Sequence, residues 1–172
     1  MIRLGRRRLP ALLATAAFLV IAPGTIAGLI PWWISRWRFQ APFAGWFLLR
    51  VVGVALIAGG AMVLLESFAR FALEGLGTPA PVFPTRRLIA TGLYRYVRNP
   101  MYVAVLSLIV GQGLLLGNVD LLAYAAMVWG AFHLFVLGYE EPKLRKTYGE
   151  QYKQFCANVP RWIPRLRAWS SF

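Results

Sequence analysis

Four apolar runs, each close to 20 residues, leave this chain few ways to fold. They lie near residues 9–31, 43–66, 100–117 and 120–139. A helix needs about 20 residues to cross ~30 Å of hydrocarbon, and with no water there every backbone amide must be bonded within its own helix. The runs therefore predict an all-α integral membrane bundle of about four transmembrane helices. Composition agrees, since 59% of the 172 residues are hydrophobic and only 15% charged, an unusual balance for a water-soluble domain. The first run follows Arg6-Arg7-Arg8, continues to Trp32-Trp33 and shows no clear small-residue cleavage site, so it reads as a retained span. Pro23-Gly24 in its middle predicts a kink.

The basic residues assign a direction. Four precede the first run and five (Arg70, Arg86, Arg87, Arg95, Arg98) separate the second from the third, while seven follow the fourth. The segments at the other end carry only Arg36 and Arg38, and Arg50 lies inside the second run. Sixteen against two places both termini, and the chemistry between them, on the cytoplasmic side. The formal net charge of +13 does not point to nucleic acid, because the arginines flank apolar runs instead of forming a stripe with exposed aromatics. The lipid bilayer and its anionic headgroups are the expected partner. Arg50 is costly inside a span unless it finds a partner or snorkels to the near surface.

Between the runs, Gly117-Asn118-Val119-Asp120 demands a tight turn and antiparallel third and fourth helices, with Asp120 a natural N-cap for the fourth. The connection from Gly75 to Asn99 is too rich in Gly and Pro to be one helix. Beyond the fourth run, Leu144, Tyr148, Tyr152 and Phe155 recur every three or four residues among lysines and arginines, predicting an amphipathic helix over 141–157 lying at the interface. The chain reads as one membrane domain, 1–172, with two spans in 1–74 and a second pair plus the tail helix in 75–164.

Polar groups gather at two places. Thr91-Gly92-Leu93-Tyr94-Arg95-Tyr96-Val97-Arg98-Asn99-Pro100-Met101-Tyr102 opens the third helix, with Asn99 as N-cap and Pro100 at the first helical position. A helix N-terminus beside Arg98 can hold a carboxylate or a ribose, although arginines there also serve simply as anchors. Glu140-Glu141 closes the fourth run in a chain with six acidic residues. The basic tail, with Arg145 one helical turn on, is one partner for them; a bound cation is the other. The hairpin brings Asn99 and Glu140 to similar depth, so a carboxylate-binding end and an amine-binding end can meet in one pocket. His133, two turns before Glu140, is either a hydrogen-bonded packing residue or part of that pocket. Gly111 and Gly113 predict close helix packing.

The single cysteine, Cys156, and single histidine provide no metal cluster and no disulfide, so no metal is expected. The strand-associated GxGxxG, GxxxxGK[ST], HExxH and glycine-framed serine motifs are absent, and nothing builds a Rossmann-type sheet.

From about Gly77 to Pro164, four pieces in order resemble the isoprenylcysteine carboxyl methyltransferase and phospholipid methyltransferase families. They are Gly92 to Tyr102, Glu140-Glu141-Pro142-Lys143-Leu144, Tyr148-Gly149-Glu150-Gln151-Tyr152, and Val159-Pro160-Arg161-Trp162-Ile163-Pro164. The resemblance implies an S-adenosylmethionine-dependent enzyme acting on a lipophilic acceptor, either a prenylcysteine-like carboxylate or a phospholipid amine. It implies cofactor contacts from Tyr94, Arg98, Asn99, Tyr102, Glu140 and Glu141, with Arg98 and Glu140 as the catalytic pair. Asn99 stands where the isoprenylcysteine enzymes usually carry histidine, and asparagine hydrogen-bonds but does not titrate near neutrality. The competing expectation is a non-enzymatic membrane scaffold or transporter subunit, which binds no such cofactor.

Overall fold

The computed structural model of the protein describes residues 20–42, 45–73, 88 and 90–170. The arginines at 6–8, the start of the first run and residues 75–87 and 89 of the Gly75–Asn99 connection lie outside the described residues. Within them the chain is all helical, with no strand. The helices are α1 (Val20–Ser35), α2 (Trp46–Leu73), α3 (Pro100–Leu116), α4 (Val119–Phe135) and α5 (Glu141–Asn158). Trp46–Arg70 and the continuous helical stack Val119–Asn158 are long and apolar enough to cross a membrane, whereas Val20–Ser35 and Pro100–Leu116 are shorter apolar helices.

The distortion of α1 falls slightly beyond Pro23-Gly24. A π turn occupies Thr25–Leu29, where Pro31 has no amide to offer the carbonyl of Ala27. That carbonyl accepts instead from Gln112 Nε2 of α3 at 2.7 Å, and the Ile26 carbonyl accepts from Tyr124 Oη of α4 at 3.0 Å. A break in one helix thus becomes its attachment to two others.

The α2–α3 pair forms the most extensive helix contact among the described residues, and glycine is the reason. A Cβ on Gly53 would stand 2.7 Å from both the Gly111 carbonyl and the Leu115 amide, and one on Gly60 would stand 2.9 Å from the Ala104 carbonyl. With no side chain at 53, 60 and 111, the backbones approach directly. Gly113 makes room for Leu122 of α4, so both glycines of α3 serve packing. Leu64, Phe68, Ala104, Val105, Ile109 and Ala125 fill the space between α2, α3 and α4.

The turn from α3 to α4 is tighter than the sequence suggests. Gly117 takes the left-handed conformation, φ 70°, that ends α3. Helix α4 starts at Val119, and its cap is Asn118, not Asp120: Asn118 Oδ1 accepts from the Leu121 amide at 3.0 Å. Asn118 is extended and buried at the junction, as a cap residue must be, whereas Asp120 is already helical in the first turn. Around the same end, Gln40 N donates to the Leu116 carbonyl, Trp46 Nε1 to the Leu114 carbonyl and Arg50 Nη2 to the Gln40 carbonyl. Arg50 therefore has a backbone partner and lies over the Phe39 ring.

The tail helix departs furthest from expectation. A π turn over Val136–Glu140 carries α4 into α5 without a loop, and α5 itself breaks at Gly149, φ 54° and ψ −123°. Its apolar stripe does not face outward. Tyr152 and Phe155 are buried with Ala90 and Val159, and Leu144, Tyr148 and Trp169 pack against them. Periodicity shows which face of the helix is apolar; it carries no information on whether lipid or the protein's own chain covers that face.

Candidate functional site

The hairpin of α3 and α4 sets the start of one helix beside the end of the other. Helix α3 begins at Pro100, held at N1 by its own ring geometry. Asn99 occupies the N-cap position, but its side chain does not cap: Nδ2 donates to the Arg161 carbonyl at 3.1 Å. The first-turn amides of α3 thus find no side-chain acceptor on Asn99, whose carbonyl accepts from the Val103 amide at 3.1 Å. One turn into the helix, Tyr102 Oη donates to Glu140 Oε1. These two residues are 38 apart in sequence, and the turn at Gly117-Asn118 alone brings them together.

Glu141 points to a different set of partners. Its carboxylate is buried and accepts from Arg98 Nη1 at 3.0 Å and Arg161 Nε at 2.6 Å, with Arg145 Nη2 at 3.6 Å. Burial alone would raise its pKa, but the hydrogen bond from Arg161 and the charges of Arg98, Arg161 and Arg145 outweigh that, so it titrates below the usual carboxylate range. The same bond raises Arg161 and keeps it charged. Arg98 also donates to Cys156 Sγ at 3.0 Å, while its Nε is buried without a partner among the described residues.

Tyr94 lies in the short 3₁₀ turn Gly92–Arg95. Burial raises its phenol, and the negative charges of Glu140 and Glu66 raise it further, so it stays neutral. The turn depends on glycine twice. Gly92 has φ +55°, and the space a Cβ would need is taken by the Arg70 guanidinium. Arg70 in turn pairs with Glu66 on α2.

The C-terminal stretch 159–169 closes the assembly as a strap. Arg98 N donates to the Pro160 carbonyl, Arg165 N to that of Tyr96 and Trp169 N to that of Arg95. Trp162 Nε1 donates to His133 Nδ1 at 3.1 Å, and its ring lies 6.4 Å from those of Tyr102 and Trp129. His133 is thus a hydrogen-bonded packing residue of this corner. Below Trp162 opens an apolar groove of about 280 Å³, lined chiefly by Leu56, Val103, Leu106, Val110 and Trp129.

Of the expected residues, Tyr102 with Glu140 and Arg98 with Glu141 form direct pairs, and Tyr94 senses Glu140. Asn99 joins them through the strap. Arg161, Glu66 and Arg70 also belong to this network, although the sequence does not single them out as site residues. Arg161 sat within the Val-Pro-Arg-Trp piece, a usable signal, whereas Glu66 and Arg70 ended an apolar run like ordinary anchors.

The family model for phospholipid methyltransferase matches residues 48–151, from early in α2 to the middle of α5. The chain belongs to that family. Among curated relatives, a protein-S-isoprenylcysteine O-methyltransferase of Schizosaccharomyces pombe is 36% identical over 80 residues, 46% of this chain and 34% of the relative. Protein-S-isoprenylcysteine O-methyltransferase B of Arabidopsis thaliana is 33% identical over 79 residues, 45% of this chain and 40% of the relative. The alignments thus reach well under half the length of those relatives. Family membership covers Arg98, Asn99, Tyr102, Glu140 and Glu141, all of which fall inside the matched residues.

Proposed function

We propose that this chain is an integral membrane methyltransferase that uses S-adenosylmethionine to methylate a lipophilic acceptor at the cytoplasmic face. The observation that carries the reading is the meeting of Arg98, Tyr102, Glu140 and Glu141 at one end of the α3–α4 hairpin, within the residues that the methyltransferase family matches. The bundle reading rests on the outward faces of α2 and α4, where Phe47, Leu48, Val54, Met62, Met127 and Leu134 are exposed. Such helices are apolar on every side, which suits lipid and not water.

The groups present fit a zwitterionic amino-acid moiety. The uncapped start of α3, with its positive dipole end, and the orphaned Arg98 Nε suit a carboxylate; Glu140, steadied by Tyr102, suits an ammonium or sulfonium. Glu141 holds Arg98 and Arg161 in place from behind. The bound cofactor would supply a methyl group already activated on sulfur, so the protein's part is orientation and exclusion of water. The strap and the aromatic corner of Tyr102, Phe132 and Trp162 provide the exclusion, and the groove below Trp162 suits a hydrocarbon chain.

A prenylcysteine-like carboxylate is the first choice of acceptor, in keeping with the relatives' names. A carboxylate is already an anion, so no base is required. The phospholipid amine is the second choice, in keeping with the name of the family model; an amine must lose a proton, and Glu140 is the carboxylate placed to take it. The two N-terminal spans, 1–74, and the core, 75–164, make one domain in this reading.

The test is to incubate the reconstituted full chain with methyl-labelled S-adenosylmethionine and either an S-farnesylcysteine or phosphatidylethanolamine. Base-labile methyl ester is the expected product. Base-stable label in lipid selects the amine, and no transfer together with no saturable cofactor binding sinks the enzyme reading in favour of a scaffold.

A further inference from the structure

The strap does more than cover the end of the bundle, because it descends its side. Trp162 contacts His133 and Trp129, which lie seven and eleven residues before Glu140. At 1.5 Å per residue that is about 10 and 16 Å below the Glu140 level. Ile163, next to Trp162, is thus carried toward the depth of the apolar helices, while Leu166 stands nearer the helix ends, where the neighbouring Arg165 amide bonds Tyr96; both side chains point away from the protein, Ile163 being 78% exposed and Leu166 99%.

Around them the charge is of one sign. Arg161, Arg165 and Arg167 share the strap, and no acidic residue follows Glu150. Arg161 is taken by Glu141 and Arg165 reaches the Asn158 carbonyl, but no carboxylate within the strap offsets Arg165 or Arg167. Two outward apolar side chains alternating with arginines match the headgroup and acyl boundary of an anionic leaflet. The tail helix does not compete for this role, since its apolar stripe is buried inside the protein.

We infer that the strap is a lipid-docking segment, in which Ile163 and Leu166 enter an anionic leaflet, Arg165 and Arg167 engage its headgroups, and docking holds the strap closed on the site. The coupling is direct. The strap that carries Ile163 and Leu166 also supplies the Pro160 carbonyl to Arg98 N, the Arg161 carbonyl to Asn99 and the Arg161 guanidinium to Glu141. Its inner edge is fixed by the amides of Arg165 and Trp169, which donate to Tyr96 and Arg95. Release of the outer side chains from lipid frees the strap that orders the start of α3.

The inference rests on the membrane reading and is independent of methyl transfer. Hydrogen exchange of the full chain is measured in nanodiscs of pure phosphatidylcholine and in nanodiscs containing roughly 30% phosphatidylglycerol, an anionic lipid. Exchange at the Arg165 and Trp169 amides is expected to slow about thirtyfold in the anionic discs, from ~1 kcal/mol for each of two arginines at the surface. Arg165→Gln with Arg167→Gln should remove that dependence, and Ile163→Ser with Leu166→Ser should weaken protection in both lipids. The substituted residues do not build the core, so folding is preserved, and amides within α3 serve as the internal control. Equal exchange of the wild-type amides in the two lipids overturns the inference, as does a lipid difference that survives Arg165→Gln with Arg167→Gln, or protection that Ile163→Ser with Leu166→Ser leaves unchanged. A chain that docks in this way but transfers no methyl group refutes the enzyme reading alone.

Discussion

Glu141→Gln tests the electrostatic centre of the site. The substitution keeps the shape of the side chain and removes its charge, leaving a largely buried Arg98, its side chain 12% exposed, without its counter-ion. Breaking a buried pair from one side costs about 3–5 kcal/mol, because the remaining charge stays desolvated. Arg145 adds less than about 1 kcal/mol, being 60% exposed at 3.6 Å. The amide also brings a donor to face Arg161. A loss of about 4 kcal/mol is expected, which for a chain of this length lowers the unfolding midpoint by roughly 8–16 °C. Thermal unfolding of the reconstituted protein, followed by circular dichroism, measures it. Glu150→Gln is the control, since its pair with Lys153 is well exposed on both sides, and it should change stability by less than about 0.5 kcal/mol. The pH dependence has a definite sign. The folded protein holds Glu141 below its unfolded pKa, so its contribution is complete above the unfolded value and is lost as pH falls through the folded one. Wild type should therefore converge on the variant in acid. A variant that melts with wild type at neutral pH, or no further from it than Glu150→Gln, refutes the view that Glu141 ties Arg98 and the strap together.

Glu140→Gln should weaken S-adenosylmethionine binding far more than Glu150→Gln does in calorimetry; equal effects would reduce Glu140 to tail electrostatics. Gly53→Ala places a Cβ against two backbone atoms of α3 and should cost about 1–3 kcal/mol in thermal unfolding, whereas Gly59→Ala, with open space around it, should cost nothing. Gly92→Ala combines a left-handed backbone with displacement of Arg70 and should cost about 1–2 kcal/mol for the backbone alone, with cofactor affinity falling as the Tyr94 turn shifts. Cofactor affinity equal to wild type would separate that turn from the site.

Much of the site was legible because it depends on counting. Helices α3 and α4 are joined by two residues, Gly117 and Asn118, so the start of one must stand beside the end of the other, with Asn99 and Glu140 at similar depth; the bond from Tyr102 to Glu140 depends also on how the helices are rotated. The capping assignments were less secure because they turn on one residue of register. Asn118 and Asp120 are both good caps by type, and only the backbone at the junction chose between them. Asn99 stood at the expected position yet turned its side chain to Arg161, a partner 62 residues away that no local pattern names.

By itself the sequence determined that the described residues are helical and where the apolar helices lie, since these follow from segment length and composition. Tertiary structure alone decided how the charges were shared. It gave Glu141 to three arginines and left Glu140 to Tyr102, although the two glutamates are adjacent and chemically identical. It also buried the apolar stripe of α5 and turned Ile163 and Leu166 outward. Each of these outcomes depends on contacts between segments distant in sequence, and the free energy of burial or pairing is set by what arrives on the other side.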